Sequence, residues 1–267
     1  MDNLKEQLER LKKSPSSIHV SNKQTVSKEL VLKKISKSYN KIKIVNNVSI
    51  SLERGSVVGL LGPNGAGKTT CFYIIAGLIK CDKGDIFLNN EKINDYPIFE
   101  RARMGIGYLP QEPSIFRGMS VEDNLMSIIE TVEYDNHKRY QLLEELLVEF
   151  NISKIRNSLG ITLSGGERRR VEIARTLASN PSHILLDEPF AGIDPIAVKD
   201  LKKLIYYLKN KGIGILITDH NVRDTLEIVE KAYILYDGNV LMSGTPKEIT
   251  SNKDVKDVYL GDDFSLF

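Results

Sequence analysis

The chain has no tryptophan and only two cysteines in 267 residues. Cys71 and Cys81 cannot build a disulfide framework, and their spacing matches no zinc or redox pattern, so both read as small apolar fillers in a reducing compartment. No apolar run approaches the ~18 residues of a membrane-spanning helix, and the first residues lack the apolar core of a secretion signal. Asp2, Glu6 and Glu9 argue against an organelle presequence. Work at a membrane would therefore use the membrane segment of another chain. Net charge is nearly absent as well, at +2, too balanced for a nucleic-acid binder. The one asymmetry is at the start, where residues 1–43 hold eleven Lys and Arg against four Asp and Glu. That surplus fits a solvated leading segment or one close to an anionic membrane surface.

What the chain does contain is organised around Gly62-Pro63-Asn64-Gly65-Ala66-Gly67-Lys68-Thr69-Thr70, which fits the phosphate-loop pattern of Gly, four free positions, then Gly-Lys-Thr. Chance alone produces that pattern in roughly one chain in a hundred of this length, so its surroundings matter. The apolar run Val57 to Leu61 before it reads as a buried strand, and a helix follows, as the pattern requires. Glycines let successive backbone N–H groups turn inward on an anion, and the helix start adds its positive dipole end. In that frame Lys68 reaches the β- and γ-phosphates as a point charge, Thr69 ligates Mg²⁺, and Thr70 holds the α-phosphate. A glycine-rich surface turn is the alternative.

Residues 1–28 show leucines at helical spacing and then a polar stretch without period, which reads as a frayed helix and linker or as disorder. Short strands follow, over Leu30 to Ile35 and Ile42 to Leu52. Tyr39 between them offers a ring on which a base could stack, or it simply packs in a turn. Cys71 to Leu78 continues the helix after the loop, Lys83-Gly84-Asp85 turns into a strand over Ile86 to Leu88, and Gly105 to Leu109 is another buried strand. Residues 120–158 switch to helical period, with Leu142, Leu143, Leu146, Leu147 and Phe150 in one stripe. Leu163-Ser164-Gly165-Gly166-Glu167 then leads into a helix over Val171 to Ala178. Ser164 before two glycines serves equally as an anion site or as a plain N-cap.

The strand His183 to Asp187 ends in Asp187-Glu188-Pro189. Asp187 suits the water shell of Mg²⁺, and Glu188 one residue on suits a general base, whereas a helix N-cap built on these acids is the structural alternative. Ala191 to Pro195 turns into an amphipathic helix over 196–209. A further buried strand, Gly212 to Thr218, is followed by Asp219-His220; strand ends of this kind face ligands in open α/β sheets, which makes His220 a γ-phosphate contact or else a surface residue. Asp237-Gly238 between Ala232 to Tyr236 and Val240 to Ser243 signals a hairpin.

Taken together, these motifs resemble the ATP-binding subunits of ABC transporters from about Leu30 to the C-terminus. The phosphate loop, the Q-loop residue Gln111, the signature Leu163 to Glu167, the acidic strand end, the D-loop Ala191 to Asp194 and the switch histidine His220 stand in that family's order. The resemblance implies an α/β phosphate-loop NTPase core over residues 29–267, with an antiparallel β subdomain and an inserted α-helical subdomain at about 112–180. It implies a head-to-tail homodimer that sandwiches ATP between one subunit's phosphate loop and the other's Ser164-Gly165-Gly166. Glu188 would polarise water, His220 hold the γ-phosphate, Gln111 touch Mg²⁺, Tyr39 stack on adenine, and Asp194 cross the interface. Within the family, Tyr108 to Glu112, Ser114 to Arg117, Gly165 to Arg175, Thr218 to Arg223 and the ending Tyr259 to Phe264 are similar to the lipopolysaccharide-export ATPases. That similarity implies integral membrane permease partners received in a groove lined by Phe116 and Arg117, at the inner face of the cytoplasmic membrane. Ordinary packing is the other reading of Phe116. Gly118 stands where that branch would have a basic or polar residue. A branched-chain amino-acid importer, or an ATPase acting on nucleic acid or ribosomes, is the competing function. The single phosphate loop speaks against the last.

Overall fold

A computed structural model describes residues 29–262 and residue 264, so the reading of residues 1–28 as a poorly ordered extension lies outside the described residues. The described residues begin with β1 (Glu29–Tyr39) and β2 (Ile42–Glu53), an antiparallel hairpin, followed by β3 (Val57–Leu61). With β4 (Lys83–Leu88) and β5 (Glu91–Lys92) the hairpin makes a four-stranded antiparallel sheet of order β2-β1-β4-β5. The first strand thus runs on to Tyr39 where the sequence suggests an end at Ile35, while the second keeps nearly its expected bounds. Lys34 and Asn47 take φ values of 51° and 56°, and register shifts beside them let the two strands stay paired across these residues. Tyr39 is the last residue of β1, paired with Ile42, rather than a residue between strands.

The central sheet adds β6 (Ile106–Leu109), β7 (His183–Asp187), β8 (Gly214–Thr218), β9 (Lys231–Tyr236) and β10 (Asn239–Gly244) to β3, in the order β10-β9-β3-β8-β7-β6. Five of these run parallel and β10 pairs antiparallel at the edge. β3, β7 and β8 are buried at every residue, which is why each is a continuous apolar run rather than an alternation. Asp237 and Gly238 both take positive φ, 45° and 73°, the turn that the Asp-Gly pair announces.

Helix α1 (Lys68–Ala76) follows the glycine loop, and α2 (Ile98–Arg103), absent from the sequence reading, precedes β6. α3 (Val121–Val132), α4 (Asn136–Glu149) and α5 (Gly165–Leu177) form the helical part inserted between β6 and β7. The stripe read from sequence is buried there: Leu143, Leu146, Leu147 and Phe150 pack with Val121, Leu125 and Ile129 in the core that also covers one face of the central sheet. A second core lies between the two sheets and encloses Cys71, Phe72, Ile74 and Ile75 of α1. After β7 come α6 (Pro195–Asn210), α7 (Val222–Leu226), α8 (Pro246–Ser251) and α9 (Lys253–Val255), then a π-helical turn, Lys256–Leu260. Among the described residues no helix is long and apolar enough to cross a membrane.

Candidate nucleotide site

Beyond the carboxyl end of β3 the chain turns through Gly62 at φ 146°, Gly65 at φ 80° and Gly67 at φ 101°. Two of these turns also require the missing side chain: a Cβ on Gly62 would stand 2.1 Å from the Leu235 carbonyl oxygen, and one on Gly67 2.6 Å from that of Ile44. Helix α1 begins here with Gly67 as N-cap and no side-chain capping bond, whereas Ser120, Asp135, Ser164 and Asp194 cap the other long helices through their side chains. Its first N–H groups are therefore left for an external acceptor. Buried Lys68 donates from Nζ to the carbonyls of Gly62 (2.8 Å) and Pro63 (3.0 Å), so its ammonium lies across the loop. Burial pulls the Lys68 pKa down while Glu188 and Asp187 pull it up. Pro63 and Thr70 are half-buried, Ala66 is buried, and Asn64 and Thr69 are exposed on the loop and first turn.

β7 and β8 deliver the acids to the same end of the sheet. Asp187 is buried, its carboxyl pushed up to about 6 chiefly by that burial, and the Tyr108 hydroxyl donates to its Oδ2 at 3.3 Å. Glu188 sits just past the strand in a left-handed conformation, φ 46°, and its N–H donates to the Thr218 carbonyl at 2.7 Å. Gln111 Nε2 donates to Glu188 Oε2 at 2.6 Å, and His220 Nε2 lies 2.6 Å from Glu188 Oε1. Gln111, Glu188 and His220, read as separate motifs, thus meet at one carboxylate; Gln111 reaches Glu188 and not Asp187. Asp219 anchors the base of this group by accepting from the N–H groups of Phe190 and Asn221, both at 2.8 Å.

Ser164 caps α5 in a reciprocal box with Glu167: Oγ donates to Glu167 Oε2 at 2.6 Å and the Ser164 N–H donates to the same oxygen at 2.9 Å. These bonds hold the Glu167 carboxyl below its usual range. They also explain why the helix starts at Gly165 rather than at Val171, as two glycines would otherwise delay it. Gly165 and Gly166 face the segment Gly192 to Ala197, where added Cβ atoms would stand 3.6 Å from Ile193 and 3.2 Å from Ala197. None of the hydrogen bonds of Ser164 reaches the phosphate loop of its own chain. Asp194 caps α6, accepting from Ile196 and Ala197 at 3.0 Å each, so the acid expected to cross an interface also has a local duty. Tyr39 is exposed at the β1–β2 turn, and Phe116 and Arg117 are exposed after the Q-loop, with the Arg175 guanidinium 4.9 Å from the Phe116 ring centroid.

Sequence reading missed the side chains beneath these groups. Arg169 and Glu172, both buried, pair at 3.3 Å. Arg169 also donates to the carbonyls of Pro110 (3.2 Å) and Asp187 (3.3 Å), and Glu172 accepts from the N–H groups of Ser114 (2.8 Å) and Ile115 (3.3 Å). Buried Asn124 accepts from the Phe116 N–H at 2.9 Å and donates to the Phe116 carbonyl at 3.0 Å. The signature helix, the Q-loop segment and the acidic strand are thereby one hydrogen-bonded unit. Arg169 and Glu172 fall in the Gly165 to Arg175 segment that carries the family resemblance, but nothing in the sequence shows their burial or their pairing.

A glycine loop on an uncapped helix, facing two acids and a histidine at the carboxyl ends of parallel strands, defines a phosphate-loop nucleotide hydrolase. Residues 45–191 match the family model described as ABC transporter, and the chain belongs to that family as its ATP-hydrolysing, ATP-binding subunit. It is similar to a probable ABC transporter ATP-binding protein of Azorhizobium caulinodans, at 56% identity over 232 residues, 87% of this chain and 83% of the relative. It is similar also to the lipopolysaccharide export system ATP-binding protein LptB of Acidithiobacillus ferridurans, at 54% identity over 241 residues, 90% of this chain and all of the relative. Among solved structures, the dimeric post-hydrolysis state of an ATP-binding cassette bound to ADP and Pi matches with a TM-score of 0.72 at 26% identity, covering 81% of this chain and 98% of that one.

Proposed function

We propose that this chain is the ATPase of an exporter of lipopolysaccharide or a related envelope lipid, held at the inner face of the cytoplasmic membrane by permease subunits of other chains. The observation that carries this reading is the 54% identity to a lipopolysaccharide export ATPase across that relative's whole length. Two copies would work head to tail, each nucleotide lying between one protomer's Gly62 to Thr70 and the other's Ser164-Gly165-Gly166. The dimeric cassette with ADP and Pi and the absence of any Ser164 hydrogen bond to its own phosphate loop support that arrangement.

In this reading the loop N–H groups and Lys68 bind the phosphates, and Tyr39 carries the base. Glu188 takes the proton of the attacking water, with His220 and Gln111 fixing its two oxygens. Mg²⁺ fits the donors present: a buried carboxylate, Asp187, with burial holding its pKa high, and the exposed Thr69 hydroxyl on the first turn of α1. Among the described residues no group of three acids, histidines or cysteines could hold a metal, as suits an ion held by one carboxylate, a hydroxyl and substrate phosphates. Bound there, Mg²⁺ would neutralise phosphate charge. Phe116 and Arg117 would meet a permease helix, and the Arg169–Glu172 pair behind them would tie that contact to the acidic strand. Affinity purification of the tagged chain from detergent-solubilised membranes tests the assignment. Lipid-exporter permeases are the expected companions; amino-acid permeases, or ribosomes and RNA, would overturn it.

A further inference from the structure

The turn that presents Tyr39 is held by two neighbours in sequence through one acid. Asp82 Oδ1 accepts from Lys37 Nζ at 2.9 Å, Asp82 Oδ2 accepts from the Ser38 N–H at 2.7 Å, and the Asp82 N–H donates to the Ser36 carbonyl at 2.8 Å. Lys37 Nζ in turn lies 5.5 Å from the centroid of the Tyr39 ring. The partner strand of the same hairpin abuts the phosphate loop, since the Ile44 carbonyl lies where a Cβ of Gly67 would fall. Asn40 and Lys41, at φ 49° and 69°, close the turn between them.

We infer that Asp82 and Lys37 are positioning residues for nucleotide binding: together they fix the Tyr39 ring and place a cation on one of its faces, leaving the other face for the base. A cation held against an aromatic face draws π density toward itself. The opposite face is then a better platform for an electron-rich purine, and the ring loses less freedom on binding. Without Asp82 both hooks go together, the Ser38 backbone bond and the seat of the ammonium. The pair is mutually reinforcing: the hydrogen bond to Asp82 holds the Lys37 ammonium up, and the hydrogen bond from Lys37 holds the Asp82 carboxyl down. No motif of the phosphate loop or acidic strand includes either residue.

This inference rests on the reading of Tyr39 as the base platform, and the absence of tryptophan from the chain makes the two separable. Tyr39→Trp introduces a single indole whose fluorescence is quenched when adenine stacks on it. Mg-ADP titrations of the full-length protein, by fluorescence and in parallel by equilibrium dialysis, are expected to show quenching in Tyr39→Trp. Adding Asp82→Asn should weaken affinity by about two- to fivefold and reduce the quench, and Asp82→Glu should restore both. In a Tyr39→Ala background Asp82→Asn should change nothing. If Asp82→Asn weakens binding equally with and without the aromatic ring, or leaves binding and quench unaltered in Tyr39→Trp, the inference is overturned while Tyr39 keeps its role. If dialysis shows bound nucleotide but the indole is not quenched, Tyr39 is not the platform and both readings fall.

Discussion

The Gln111 amide and the His220 imidazole take one oxygen each of the Glu188 carboxylate, at 2.6 Å on either side. A carboxylate held at both oxygens has one orientation, which is what a base aimed at a single water needs. The Q-loop is therefore in direct contact with the group proposed to do the chemistry. Movement of residues 112–118 would reach Glu188 through one side chain.

Glu188→Gln keeps the shape of this side chain, replaces one of its two acceptor oxygens with an NH2 donor and removes its basicity. ATP hydrolysis should fall roughly 10²- to 10⁴-fold with nucleotide binding retained. Single-turnover hydrolysis measured beside equilibrium binding decides it, and a variant that hydrolyses at the parent rate contradicts the role.

Glu172→Ala removes one partner of a buried pair and leaves the Arg169 guanidinium without its counter-charge. It also strips the acceptor from the N–H groups of Ser114 and Ile115. The expected loss of stability is about 3–5 kcal/mol, read as a lower urea midpoint. A variant as stable as the parent would show that the unit joining signature helix, Q-loop and acidic strand does not depend on this acid.

Arg101 is fully buried, and its guanidinium donates to the carbonyls of Ile74 (2.6 Å), Ile75 (2.7 Å), Tyr96 (2.8 Å) and Asn94 (3.1 Å). It thus closes the carboxyl end of the helix whose amino end holds the phosphate loop. Gly77 makes the room, since a Cβ there would stand 2.9 Å from Arg101 Nε. Arg101→Met should cost about 3 kcal/mol or more in urea unfolding, and an unchanged midpoint would contradict the capping role.

How these residues escaped the sequence follows from where their partners lie. The phosphate loop, the acids and the hairpin turn are local patterns, in which a few adjacent residues and the strand before them specify the backbone, and all stand where the sequence places them. Arg101, Arg169 and Glu172 each have, besides near neighbours, partners tens of residues away that no local pattern announces, and a charge gives no sign of its own burial. Helix α2 was missed because it is six residues long with Ile98 and Phe99 turned outward, so no apolar stripe marks it. The convergence of Gln111 and His220 on Glu188 required the strand order, which motif order alone does not supply.

Buried His183 predicts the response to acid. Burial pushes its imidazole down to about 4, whereas in the unfolded chain it takes up a proton near 6.5. Its contribution is intact above 6.5, and stability declines as pH falls from there toward 4. Asp187, pushed up to about 6, works in the opposite direction, because the folded chain binds its proton first. Urea midpoints from pH 7 to 5 should fall more steeply for the parent than for His183→Gln, and parallel slopes would contradict the assignment.

The shared pocket is the centre of the account, and complementation between two dead protomers tests it most directly. Ser164→Arg and Lys68→Ala should each be inactive alone, yet an equal mixture should regain about a quarter of the parent turnover, because half the dimers are mixed and carry one intact pocket. Activity in either variant by itself, or no recovery on mixing, would contradict it.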